Sequence, residues 1–216
     1  MTKRLLLLQA SDDVPGCEID LVNNVIAPFD IVLEHVDVRQ VGDLDGIPEV
    51  LFDYVYICGH ADKTCFGGSG AAGDRDVRVL WPELSAAICT KLATESTAIL
   101  ACCRGGLNQV AWDVFIGCDK IDTVIGSLGE VHSEDLRLAF HTILYNVEHR
   151  GEHPDVAGQR ACAATGRTFR VFDRDDVEVD ASFVQYDSWG NCMKYPEMCT
   201  QPVTGEAVSE LPSDSS

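Results

Sequence analysis

Positive charge is in short supply in this sequence: 16 Lys and Arg stand against 35 Asp and Glu in 216 residues, a formal net charge of −19. Phosphate binding requires clustered cations, so nucleic acid is not expected as a direct partner. The same surface favours solubility and attracts basic peptide or protein segments. No apolar run approaches the length of a membrane span, so no membrane partner is expected either. Leu5-Leu6-Leu7-Leu8 after Lys3-Arg4 is too short for a signal peptide, and Gln9-Ala10-Ser11-Asp12-Asp13 provides no convincing small-residue cleavage site. The stretch reads as a buried first strand of a chain resident in the cytoplasm.

One sequence pattern is also missing. There is no CxxC pair, which weakens a metal cluster built from Cys58, His60, Cys65, Cys102 and Cys103. Gly67-Gly68-Ser69-Gly70 is glycine-rich but opens no clear helix, which weakens a dinucleotide site. No metal and no cofactor is expected, and no internal repeat is visible.

What the chain does contain is enough apolar residue, 46% against 24% charged, to bury a full core. Its ten cysteines include several inside apolar patterns (Cys58, Cys89, Cys102), which points to a reducing compartment rather than a disulfide framework. Lys3 to Ala10 reads as a strand buried on both faces. Cys17 to Phe29 has helical spacing, and Ile31 to Val38 alternates like a strand near a sheet edge. Ile47 to Phe52 reads as a short helix with Pro48 in its first turn. Leu80 to Leu92, Asn108 to Cys118 and the stretch from Ser133 to Arg150 are helical, the last with Leu136, Phe140, Ile143, Leu144 and Val147 as its buried stripe. Asp122 to Leu128 is a further strand. This alternation predicts an α/β fold with a mainly parallel sheet and helices on both faces. Residues 1–150 form the expected core. Residues 151–199 read as an extension packed on it, with a helix over Pro154–Ala164 and a hairpin from Thr168–Phe172 and Val177–Phe183. Residues 200–216 read as a disordered acidic tail.

Two strand ends carry the chemistry. Tyr54-Val55-Tyr56-Ile57-Cys58-Gly59 ends on His60-Ala61, and Thr97-Ala98-Ile99-Leu100-Ala101 ends on Cys102-Cys103-Arg104-Gly105-Gly106. Ligands bind at the carboxyl ends of strands in open α/β sheets. A thiolate needs a proton acceptor beside it and donors for an oxyanion, and histidine, which titrates near neutrality, can serve as base and then acid. Cys103 is the candidate nucleophile and His60 its partner. The backbone N–H of Cys103 with that of Gly59 or Ala61 would form the oxyanion hole. The Gly105-Gly106 pair would let the chain turn sharply. Ala61 to Gly73 has no period and reads as a mobile loop at this edge.

The pair CGHA and ACCRGG resembles the caspase-like cysteine peptidases, including metacaspases and bacterial CHAT-domain proteins. The order Thr123-Val124-Ile125-Gly126-Ser127-Leu128, Val131, Phe140 and Tyr145 is similar to the strand and long helix that follow the nucleophile in CHAT domains. The resemblance covers about residues 3–150 and implies a three-layer caspase-like sandwich. It also implies a cysteine endopeptidase with catalytic His60 and Cys103, acting on a protein or peptide substrate, and often a separate regulatory protein. Aligning on Arg-Gly selects Cys103, while aligning on Ala101-Cys102 selects Cys102, which is otherwise a buried neighbour. Ala61 stands where the family usually has glycine. Basic-selective members line their pocket with acids at this edge, a part Asp12 and Asp13 would fill unless they are plain loop acids; Arg104 would contact substrate or form a structural ion pair. The alternative function is a caspase-like scaffold or regulatory module that has lost catalysis.

Overall fold

A computed structural model describes residues 2–11, 17–67, 77–129, 132–166 and 169–175. In chain order the elements are β1 (Lys3–Gln9), α1 (Cys17–Ile26), β2 (Ile31–Asp37), β3 (Phe52–Cys58), β4 (Cys65–Gly67), β5 (Arg78–Leu80), α2 (Trp81–Cys89), β6 (Leu92–Ala101), α3 (Asn108–Gly117), β7 (Ile121–Ser127), α4 (Ser133–Leu144), α5 (Pro154–Thr165) and β8 (Phe169–Asp173). Six strands form one sheet in the order β2-β1-β3-β6-β7-β8. The pairings from β2 through β7 are parallel, and β8 runs antiparallel to β7. β4 and β5 form a separate antiparallel ribbon.

The layers follow from side-chain alternation along doubly buried strands. Leu5, Leu7, Tyr54, Tyr56, Ile99 and Ile125 face one side, where α1, α4 and α5 cover them with residues such as Val22, Phe140 and Ala157. Leu6, Leu8, Val55, Ile57, Leu100 and Val124 face the other side, against Leu84 and Ile88 of α2 and Val110 and Val114 of α3. All four leucines of β1 are fully buried, as the continuous apolar run requires. The fold is therefore the expected three-layer α/β sandwich with a mainly parallel central sheet, and β2 lies at its edge. Among the described residues no helix is long and apolar enough to cross a membrane.

Several boundaries differ from the sequence reading. Residues 47–51 are not helical: a 3-10 segment, Val41–Gly46, comes earlier, capped reciprocally by Gln40 and Asp43. Ile47 is then buried, and Phe52 already opens β3 at the core. So short a segment, which follows Gly46 and contains Pro48, does not repay the cost of nucleating a helix. α2 ends at Cys89 rather than Leu92, and Leu92 starts a ten-residue β6. That strand is interrupted by Glu95 in the left-handed region (φ 62°) and a register shift at Ser96/Thr97, a bulge that hides its first half from period-2 reading. α1 passes into a 3-10 turn at Ala27–Phe29, where Pro28 sits.

Beyond residue 150 the chain still belongs to the sheet. α5 spans the expected helix, and β8 pairs with β7 from Thr123↔Asp173 to Ser127↔Phe169. The Arg174 guanidinium lies 4.8 Å over the Phe115 ring and donates to the carbonyls of Phe115, Cys118 and Ile121. The expected strand at Val177–Phe183 and the tail at 200–216 lie outside the described residues.

Two stability measurements probe this core. Phe140, 1% exposed, packs on Tyr56 with ring centroids 4.9 Å apart. Phe140→Ala is expected to lower unfolding free energy by about 3–5 kcal/mol in denaturant titration. Burial of Asp113 on α3 raises its carboxyl from 3.8 to about 6. The folded state therefore holds that proton more tightly than the unfolded chain. Its contribution to stability is full below the ordinary carboxylate range and is lost as pH rises through about 6. Asp113→Asn should raise the unfolding midpoint near neutral pH and flatten the stability curve between pH ~4 and ~6.

Candidate active site

β3 and β6 are adjacent in the centre of the sheet and stay in register to their last pair, Cys58↔Ala101. His60 and Cys103 each lie two residues beyond that pair. Adjacent strands are about 4.8 Å apart, so both residues leave the sheet side by side at its carboxyl edge.

On the His60 side, Gly59 has φ +143°, a backbone that side-chain-bearing residues rarely adopt. It lies against Ala10, Ser11 and the Phe66 ring. The chain then folds back: the Gly67 N–H donates to the His60 carbonyl at 2.8 Å and the Asp62 N–H to the Cys65 carbonyl at 3.0 Å, bracketing an Ala61↔Phe66 bridge. Asp62 secures this return. Its carboxylate accepts from the Thr64 N–H and hydroxyl, both 2.7 Å, and from the Cys65 N–H at 2.9 Å. Partial burial pushes its pKa up, but these donors prevail and hold it below the usual carboxylate range. The Trp81 indole N–H donates to the Asp62 carbonyl at 3.0 Å and ties the turn to α2. The expected loop from Ala61 to Gly73 is thus fixed structure as far as Gly67, and residues 68–73 lie outside the described residues.

On the other side, Cys102 is buried, at 2% exposure, while Cys103 is half-buried. The turn that follows is made by Arg104, which is exposed and left-handed (φ 63°), and not by the glycines. A non-glycine residue held there costs on the order of 1 kcal/mol or more, a strain that clusters at functional sites. Gly105 and Gly106 instead allow close contact. A Cβ on Gly106 would sit 2.4 Å from the Gly126 carbonyl oxygen, and one on Gly126 would sit 2.4 Å from the Gly105 carbonyl carbon. The Gly106 N–H donates to the Ser127 carbonyl at 2.8 Å, sealing this crossing over the end of β7.

The bridge at Ala61↔Phe66 uses the N–H of Asp62 and the carbonyl of His60, leaving the Ala61 N–H directed away from Phe66. Among the described residues, neither the Ala61 nor the Cys103 N–H has a hydrogen-bond partner. The arrangement thus offers a thiol, an imidazole and two uncommitted donors at one edge, the set needed for acyl transfer. Asp12 and Asp13 lie outside the described residues, though Ser11 before them adjoins Gly59. Cys58, His60, Cys65, Cys102 and Cys103 do not bring three ligand atoms within 4.8 Å of one another among the described residues.

Asp62, Trp81 and Gly126 position this edge without having been singled out from sequence. Asp62-Lys63-Thr64 is a legible Asx turn. Gly126 inside an apolar strand is a legible sign of close backbone approach. Gly126→Ala should destabilise the fold by about 1–3 kcal/mol, because two backbones must separate. Denaturant titration, with labelling of Cys103 as a second readout, would check this; an unchanged midpoint would contradict the crossing.

No protein-family model matches the sequence, and comparison with curated proteins gives no match. Solved structures do match. A secreted C11 cysteine protease from Bacteroides thetaiotaomicron, in complex with an irreversible peptide inhibitor, is similar with a TM-score of 0.56 and 13% sequence identity. That match covers 84% of this chain and 68% of the protease. A second structure of a secreted C11 cysteine protease from that organism, called iotapain, gives a TM-score of 0.59 at 13% identity, covering 86% and 72%. At this identity the likeness concerns architecture: the chain has the caspase-like fold of these C11 proteases.

Proposed function

We propose that this protein is a cysteine endopeptidase that works through Cys103 and His60. One observation carries the reading: register places both residues at the ends of neighbouring central strands, beside N–H groups that no described residue uses. The caspase-like fold, shared with C11 proteases, supports it.

In this mechanism His60 takes the Cys103 proton and the Sγ thiolate attacks the scissile carbonyl. The negative charge moves to the carbonyl oxygen, where the N–H of Cys103 and that of Gly59 or Ala61 stabilise it. Collapse of the tetrahedral adduct breaks the C–N bond, and His60 returns the proton to the departing amine. Water, deprotonated by His60, then releases the acid and restores the thiol. Asp12 and Asp13 would favour a basic side chain before the cleaved bond, and exposed Arg104 would hold a substrate carbonyl or carboxylate. Control by a separate protein and a CHAT-type affiliation belong to the same proposal, supported by the strand and helix order after Cys103. Cytoplasmic residence is also part of it; Cys58, Cys65, Cys89, Cys102, Cys103, Cys118 and Cys162 are free thiols, as a reducing compartment would leave them.

Mass spectrometry after incubation with peptidyl acyloxymethyl ketones tests the reading, with basic, acidic and apolar residues next to the warhead. One adduct on Cys103, lost in His60→Ala, is the expected result, and the basic probe should react fastest. Turnover of a matched peptide should fall about 10²–10⁴-fold in His60→Ala. An adduct on Cys102 would reassign the nucleophile. No adduct with any probe, with or without cell lysate, would favour the scaffold alternative.

A further inference from the structure

At the opposite edge of the sheet, the last residue of α2 meets the C-terminal cap of α3. Cys89 Sγ lies 3.3 Å from Asp119 Oδ1, and the Cys118 thiol lies next to both. All three potential ligand atoms lie within 4.8 Å of one another, a spread that one tetrahedral ion spans. The elements holding them are rigidly joined. Gly117 packs so tightly on α2 that a Cβ there would sit 2.0 Å from Ser85 Oγ and 2.5 Å from the Pro82 carbonyl oxygen. Burial also fixes Cys118, which is 1% exposed, while Cys89 is half-buried and Asp119 exposed.

A second observation concerns the charge around Cys118. The Arg174 guanidinium adds positive charge on the Cys118 carbonyl. Two thiolates and a carboxylate around a divalent ion leave one excess negative charge, which this surrounding offsets.

We propose that Cys89, Cys118 and Asp119 form a binding site for a thiophilic divalent cation of the zinc class. Two sulfurs favour zinc over magnesium or calcium, which prefer all-oxygen shells. Binding forms two metal–sulfur bonds and one metal–oxygen bond, and releases the two thiol protons to solvent. With Asp119 exposed, water completes the fourth position. The ion clamps the end of α2 to the end of α3, the helix that starts just after the Cys103 turn. This site is independent of the peptidase reading, since it shares no residue with Cys103 or His60.

The test is a titration of the full-length, chelator-stripped protein with Zn²⁺ under a non-thiol reductant, against a competing chromophoric chelator. A parallel titration with Co²⁺ reads thiolate ligation from sulfur-to-metal charge-transfer absorption. One equivalent should bind, with thiolate absorption, and Zn²⁺ should raise the melting temperature. Cys89→Ser should abolish thiolate absorption, and Asp119→Asn should weaken binding by about tenfold or more. Both side chains are at least partly exposed, so these variants should fold, which circular dichroism checks. Cys103→Ser should bind as wild type. His153→Ala should too, although His153 belongs to another group, with Asp122 and Asp173, whose ligand atoms converge. Binding unchanged in Cys89→Ser, or lost in Cys103→Ser or His153→Ala, would overturn the proposal. So would absence of binding, including the case where Cys89 and Cys118 are found joined as a disulfide that the reductant does not open.

Discussion

The parallel pairing of β3 with β6 is the constraint on which the rest depends. Both strands are central, and both are covered on both faces, so their register is fixed twice over by packing. A slip of one residue would turn Val55 and Ile57 toward the α1, α4 and α5 layer and Tyr54 and Tyr56 toward α2 and α3. Because the pairing persists to Cys58↔Ala101, the chain leaves the sheet at matching points, and His60 and Cys103 inherit that alignment. Neither residue needs to be brought in by a flexible loop.

Past the last sheet pair, each segment is held by its own local chemistry. The His60 segment is gathered by hydrogen bonds: Asp62 collects donors from Thr64 and Cys65, and Trp81 reaches its carbonyl. The Cys103 segment is gathered by contact, with three glycines letting its backbone cross β7 at a distance no side chain would allow. The consequence is a thiol that emerges half-buried beside a histidine, while its neighbour Cys102 remains in the core. Strain at Arg104 is the visible cost of turning the chain so soon after the strand.

The carboxyl edge of the sheet holds His60 and Cys103, and the amino edge, where β6 and β7 begin, holds Cys89 at the end of α2 and Cys118 at the cap of α3. Helix α3 joins the two, starting after the Cys103 turn and ending at Cys118. Residues after 150 reinforce that amino edge, since Arg174 caps the α3 carboxyl end through the carbonyls of Phe115, Cys118 and Ile121.

Much of this was legible in the sequence alone. The unbroken leucines of β1 required a strand covered on both faces, and the alternation IVLEHVD required an edge strand. The spacing in α4 named its buried stripe, because helical periodicity is a local property of the chain. The two apolar strands ending on His60 and on Cys103 were visible for the same reason. Other features were set by contacts between segments distant in sequence, and no local pattern encodes those. The left-handed residue at the turn proved to be Arg104, while the adjacent glycines answer to Gly126, a partner that appears only when β7 lies beside β6. The bulge at Glu95 and the non-helical 47–51 likewise reflect the demand that Thr97 and Phe52 reach their buried places. The convergence of Cys89 with Cys118 depends wholly on how two helices pack. Sequence determined which residues could build the sheet and bear the chemistry; tertiary packing decided which of them meet, because register and close approach are settled only when both partners are in place.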